Sequence, residues 1–148
     1  MSYLDAILGK ISNVRNCLSS IKKITNLDPE KLNDQVAQDV FVLNLERATQ
    51  ACIDMANLCI TQEGYELPRS YRHGFLVLNR NNIIDSELCE KMEKMAGFRN
   101  IAVHDYAALD LNILKSILTK NLCDIEDYCE AIFKYHTKAA SQKTVLKK

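Results

Sequence analysis

Long stretches of three-and-four apolar spacing alternate with short polar breaks, and this spacing predicts helix along nearly the whole chain. From Tyr3 to Ile24, Leu4, Ile7, Leu8, Ile11, Val14, Leu18 and Ile21 form a one-sided stripe. Asn26-Leu27-Asp28-Pro29 breaks it, with Asp28 suited to an N-cap and Pro29 to a first turn. A second helix is expected from about Asn33 to Gln62, ended by Glu63-Gly64. Its apolar residues, among them Val36, Val40, Phe41, Leu45, Cys52 and Leu58, spread over more than half the wheel and mark it as the central helix. After Pro68 a weaker helix covers Arg69 to Asn79 and stops at Asn79-Arg80-Asn81-Asn82. Asp85 fits the N-cap of a helix running from Ser86 to about Tyr106. Asp110 or a neighbour restarts a last helix with the stripe Leu111, Leu114, Ile117, Leu118, Leu122, Ile125, Ile132 and Phe133. The expected architecture is all-α, an antiparallel bundle of four long helices plus a short one. It forms a single domain over residues 1–137, followed by a basic, flexible tail over residues 138–148.

Composition narrows the function classes. At 148 residues and 16.8 kDa the chain has the size of one domain, and 47% hydrophobic residues suffice for a full core. No apolar run approaches membrane-spanning length, and no charged segment leads into an apolar one at the N-terminus, so a cytoplasmic location is expected. The 19 basic and 19 acidic residues cancel, but unevenly. Lys138, Lys143, Lys147 and Lys148 face no acids after position 137, leaving the body with 15 basic against 19 acidic residues, a balance of −4. A bulk electrostatic grip on nucleic acid is excluded; contact with a polyanion has to be local. The six cysteines, Cys17, Cys52, Cys59, Cys89, Cys123 and Cys129, sit in apolar-periodic segments without a Cys-x-x-Cys pair. They read as small buried residues rather than zinc ligands or disulfides.

Chemistry is expected where a helix breaks its own pattern. Arg47 and Asp54 fall within about 20° of each other on the second helix, inside the arc of Val36, Val40 and Leu58. They are either an ion pair stitching two helices or the wall of an active site. The second break is Phe98-Arg99-Asn100-Ile101-Ala102-Val103-His104-Asp105-Tyr106. If the helix is continuous, Arg99 and Tyr106 lie about 20° apart and Asn100 and His104 about 40° apart. The four fill a half-wheel, broad for one compact site, and converge more easily on a ligand held between two copies of the helix. His73 and His136 lack polar company at useful spacing and are expected to be solvated. No Gly-rich phosphate loop, Ser nucleophile motif or carboxylate cluster for magnesium occurs, so neither cofactor nor metal is expected in this chain.

That string resembles the Arg-x4-His-x-Tyr motif of HepT-type toxins in the HEPN superfamily. The segments Leu43-Asn44-Leu45-Glu46-Arg47-Ala48 and Ala51-Cys52-Ile53-Asp54-Met55-Ala56-Asn57 are similar to the same family's second helix. The resemblance covers about residues 3 to 135 and implies a metal-independent endoribonuclease, the toxin of a type VII toxin–antitoxin pair, with its motif at a homodimer cleft. It implies that Arg99 stabilises charge on the phosphate, that His104 serves as general base or acid, and that Asn100 orients the imidazole or the phosphate. Asp54 would hold Arg99 or His104, with Arg47 beside it. These residue types suit the chemistry, since an imidazole titrates near neutrality and a guanidinium forks onto two phosphate oxygens. The resemblance also implies that Tyr106 is adenylylated by an MntA-type nucleotidyltransferase antitoxin; stacking on a base is the other role open to it. The competing function is a non-catalytic helical module that docks a nucleotidyltransferase and presents substrate to it.

Overall fold

The computed structural model describes the backbone of residues 2–146 and the side chains of residues 2–138. Helix α1 (Tyr3–Thr25) starts at Ser2, whose hydroxyl accepts from the Asp5 N–H, and closes at Asn26 in the left-handed region. A 3-10 turn (Pro29–Asn33) follows, capped by Asp28. Helix α2 (Gln35–Glu63) is capped by Asp34, which accepts from the Ala37 N–H at 3.0 Å, and ends at Gly64 with φ +70°. Helix α3 (Tyr71–Arg80) is short; α4 (Ser86–His104) begins at Asp85, whose carboxylate accepts from the Leu88 N–H at 2.8 Å. The last segment starts at Asp110 as α5 (Leu111–Ser116), loosens into a π turn (Ile117–Asn121) and continues as α6 (Leu122–Leu146). Four long rods and a short one therefore assemble as the periodicity predicts.

Helix α2 is the centre of the bundle, packed by α1, α3, α4 and α6. Phe41, Leu45, Cys52, Met55, Cys59 and Ile60 are fully buried along it. Tyr128 of α6 is also fully buried; its ring meets Phe75 of α3 edge-on at 5.6 Å and its hydroxyl donates to the Cys52 carbonyl at 2.8 Å. A neutral hydrogen bond of this kind contributes about 1 kcal/mol and satisfies a polar group that burial would otherwise penalise.

Several expectations need correction. The arc of α2 that carries Arg47 and Asp54 is not core: Val36 is 66% exposed and Arg47 is exposed, because α1 covers the neighbouring face. Leu4, Leu8 and Phe133, expected in the stripes, are also exposed. Cys52, Cys59, Cys89 and Cys129 are buried as expected, whereas Cys17 is half-buried and Cys123 exposed. His136 is buried, not solvated: its Nδ1 lies 2.7 Å from the Ile132 carbonyl and its Nε2 meets the Tyr3 hydroxyl, since α6 carries it against the start of α1. His73 is half-buried, its Nδ1 accepting from the Arg69 N–H at 3.0 Å. Helix α6 runs to Leu146, through most of the segment expected as a basic, flexible tail; residues 147–148 of that segment lie outside the described residues.

Candidate active site

The polar cluster of the second half sits on the last turns of α4 and the exit from it. Arg99, half-buried, lays its guanidinium over the Tyr71 ring, 5.2 Å from the centroid. Its Nη1 donates to Asn100 Oδ1 at 3.4 Å, a long bond between neighbours, and its Nε is buried without a partner. Tyr71 comes from the first turn of α3, which Ser70 caps through the His73 N–H at 3.0 Å. Arg72, next to it, reaches across α4: a Cβ on Gly97 would stand 2.5 Å from its Nη2, so the small residue at 97 leaves room for a second guanidinium two residues before Arg99. Among the described residues Arg99 thus has no acidic partner and is held by an aromatic face, an arrangement suited to receiving an anion.

His104 is the last residue of α4; it is exposed, and its side chain makes no hydrogen bond among the described residues. Asn100 is exposed one turn earlier and contacts Arg99, not His104. The helix does not continue to Tyr106. Asp105, at φ −151° and ψ 65°, breaks the helical path, and a three-residue turn (Tyr106–Ala108) follows. Continuous-helix geometry therefore overstates how closely Tyr106 follows Arg99. The break instead turns the tyrosine towards α2, where its hydroxyl donates to Asp39 Oδ1. Tyr106 remains 40% exposed, and partial burial together with the Asp39 bond pushes its phenol up to about 12. The same bond, joined by one from Gln35 Nε2 at 2.8 Å, draws the Asp39 carboxyl below its usual range.

Asp54 and Arg47 are elsewhere. Lys10 Nζ of α1 binds Asp54 Oδ2 at 3.0 Å and Gln50 Nε2 binds Oδ1 at 2.9 Å, so both carboxylate oxygens are engaged. Within this chain Asp54 does not hold Arg99 or His104; it stitches α2 to α1, with Lys10 and not Arg47 as its partner. Both residues line a polar groove of about 470 Å³ between α1 and α2, together with Asn13, Asn44 and Gln50. Sequence reasoning missed Asp39, which stands 67 positions from Tyr106, and Tyr71, whose only local sign is an aromatic residue beside a helix cap.

The chain matches the model of the "Ribonuclease HepT-like" family over residues 14–132. It is 37% identical over 128 residues to the mRNA nuclease HepT of Shewanella oneidensis, covering 86% of this chain and 96% of that protein. A solved structure of a tri-AMPylated Shewanella oneidensis HEPN toxin in complex with MNT antitoxin superposes with a TM-score of 0.83 at 36% identity, covering 90% of this chain and 99% of that one. A toxin–antitoxin complex with AMP-PNP gives 0.84 at 36% identity, with 88% and 98% covered. No described helix is long and apolar enough to cross a membrane. With the all-helical fold, the Arg-x4-His-x-Tyr residues at one end of α4 and these relatives in agreement, the chain belongs to the HepT-like ribonuclease family.

Proposed function

We propose that this chain is the toxin of a type VII toxin–antitoxin pair: a metal-independent RNA endonuclease that works as a homodimer in the cytoplasm. An MntA-type nucleotidyltransferase antitoxin neutralises it by adenylylating Tyr106. The observation that carries the reading is the Arg99 guanidinium, without an acidic partner among the described residues, braced on Tyr71 and followed by an exposed His104, in a chain of a ribonuclease family. RNA supplies its own nucleophile. His104 takes the proton of a 2′-hydroxyl, the oxygen attacks the adjacent phosphorus, and the bond to the 5′-oxygen breaks. Arg99 holds the charge that builds on the non-bridging oxygens, and Asn100 keeps Arg99 or the phosphate in register. A second His104, from the other protomer, protonates the departing 5′-oxygen. The products are a 2′,3′-cyclic phosphate and a 5′-hydroxyl, and DNA survives for want of the attacking hydroxyl.

An AMP on Tyr106 brings an anionic phosphate to the edge of this site, where it competes with RNA for Arg99 and fills the space a substrate needs. The tyrosine's exposure makes it reachable by a partner enzyme. Unmodified protein incubated with RNA in EDTA should cut it, and Arg99→Ala or His104→Ala should each lower the rate by roughly 10²–10⁴-fold, the usual worth of an acid–base or charge-stabilising group. Because Arg99 is only half-buried and His104 exposed, both variants should keep the wild-type helical spectrum. RNA left intact by the unmodified protein, or cut by both variants as fast as by wild type, would overturn the nuclease in favour of the docking module.

A further inference from the structure

We propose that Asp39 is the general base of Tyr106 adenylylation, so that the protein being modified supplies the group that takes the proton. The inference rests on the reading of Tyr106 as the AMP acceptor. A phenol is neutral at cellular pH and a poor nucleophile until its proton leaves. Among the described residues, the tyrosine hydroxyl has one hydrogen-bond partner, Asp39 Oδ1, and it points its proton at that oxygen. Asp39 lies on the second turn of α2, exposed, so a docked enzyme reaches the pair without opening the bundle. Gln35, one turn earlier, donates to the same oxygen at 2.8 Å and fixes the carboxylate, while its amide also bonds Gln38 at 3.0 Å. The tyrosine is fixed from its own side: Leu109 N–H closes the turn onto the Tyr106 carbonyl at 3.1 Å. An ionised carboxylate aimed at the acceptor hydroxyl is the arrangement that protein kinases use towards their substrates.

The step balances with a nucleoside triphosphate bound by the partner enzyme as co-reactant. Tyr106 Oη gives its proton to Asp39 and forms a bond to the α-phosphorus. The bond from that phosphorus to the oxygen bridging to the β-phosphate breaks, and pyrophosphate leaves with the electron pair. Asp39 then releases the proton to water. Any AMP joined to the first starts from a hydroxyl of the nucleotide already attached, so Asp39 governs the first addition alone.

The test uses the full chain, its cognate nucleotidyltransferase at saturation and ATP, with intact mass reporting the first AMP in single-turnover time courses. Asp39→Asn should lower the saturated rate roughly 10²-fold or more, as expected for loss of a general base, without moving the half-saturating enzyme concentration. Placing a difluorotyrosine at position 106, whose phenol sheds its proton far more readily, should restore most of the rate lost in Asp39→Asn. Wild-type chain modified on Tyr106 with Asp39→Asn equally fast would overturn the base while leaving the acceptor intact; so would a defect that the acidic phenol does not relieve. Wild-type chain that gains no AMP at all would overturn both.

Discussion

Tyr106 and Asp39 stabilise opposite protonation states of each other, and this gives their contact a defined pH window. The phenol's folded value is raised to about 12 from 10.0, by partial burial first and by the Asp39 bond second, so its contribution is complete below pH 10 and vanishes as pH climbs through 12. The Asp39 carboxyl is lowered, chiefly by the Tyr106 bond and then by Gln35, so its contribution is complete above the ordinary carboxylate range and is lost as pH falls through the depressed value. Between these limits the turn after α4 stays clasped to α2. In ultraviolet titration, the phenol that disappears in Tyr106→Phe should be the one ionising near 12, and Asp39→Asn should bring it back towards 10. A Tyr106 that already ionises near 10 in the wild-type chain would mean the clasp does not form. Arg99 has a similar long-range support, since its guanidinium lies over the Tyr71 ring as well as bonding its motif neighbour Asn100.

At the scale of the elements, two glycines separate local geometry from close packing. Gly64 ends α2 at φ +70°, a conformation an L side chain adopts only with strain. Gly97 is inside α4 with ordinary helical backbone, and what an added methyl meets is Nη2 of Arg72, the far end of a flexible side chain. Gly64→Ala should therefore cost about 1–2 kcal/mol and lower the melting temperature by roughly 2–8 °C. Gly97→Ala should stay within about 1 kcal/mol of wild type, because the gain in helix propensity of about 0.5–1 kcal/mol offsets the displacement of Arg72. A large loss at Gly97 in calorimetry would show that Arg72 is rigidly placed. The contrast also shows what the linear chain makes legible. Asp28, Asp85, Asp110 and Gly64 act on their own neighbours, so the starts and stops of helices and the four-long-one-short bundle could be read from spacing alone. The motif residues could be read as a group for the same reason. Their partners could not: Lys10 is 44 positions from Asp54, Asp39 is 67 from Tyr106 and Tyr3 is 133 from His136. Helical phase places a residue on a face of its own helix but does not say which element covers that face. For this reason the Arg47 arc read as core and His136 as solvated. The break at Asp105 was hidden by a different cause, since a residue leaving helical backbone without Gly or Pro carries no sign in the pattern.

At the scale of the whole molecule, the geometry of α4 bears on the proposed homodimer. Arg99 and His104 are five positions apart on one helix, which points them about 140° from each other with a rise of about 7.5 Å. One phosphodiester does not readily meet both from the same protomer, whereas two antiparallel copies of α4 would set the Arg99 of each near the His104 of the other. The surface around the motif agrees with such a partner: Ile101 and Val103 are 47% and 42% exposed on α4, and Val36 and Leu43 are exposed on the face of α2 flanking Asp39. Where such residues form one patch beside polar chemistry, they suit an association surface. If the cleft forms this way, Arg99→Ala and His104→Ala are each inactive alone but complement one another. Exchanging the two purified variants through a partly dissociated state should produce mixed dimers holding one intact Arg99 opposite one intact His104, and ribonuclease activity in EDTA should reappear in part, short of wild type because the second His104 that protonates the leaving oxygen is missing. Val36→Asp combined with Leu43→Glu should halve the mass seen by light scattering and abolish cutting while leaving the helical spectrum unchanged. Phe133→Glu, on the groove between α1 and α6, should change neither. A mixture of the two variants that gains no activity although mass spectrometry confirms mixed dimers would overturn a cleft in which one Arg99 and the opposite His104 suffice for cutting.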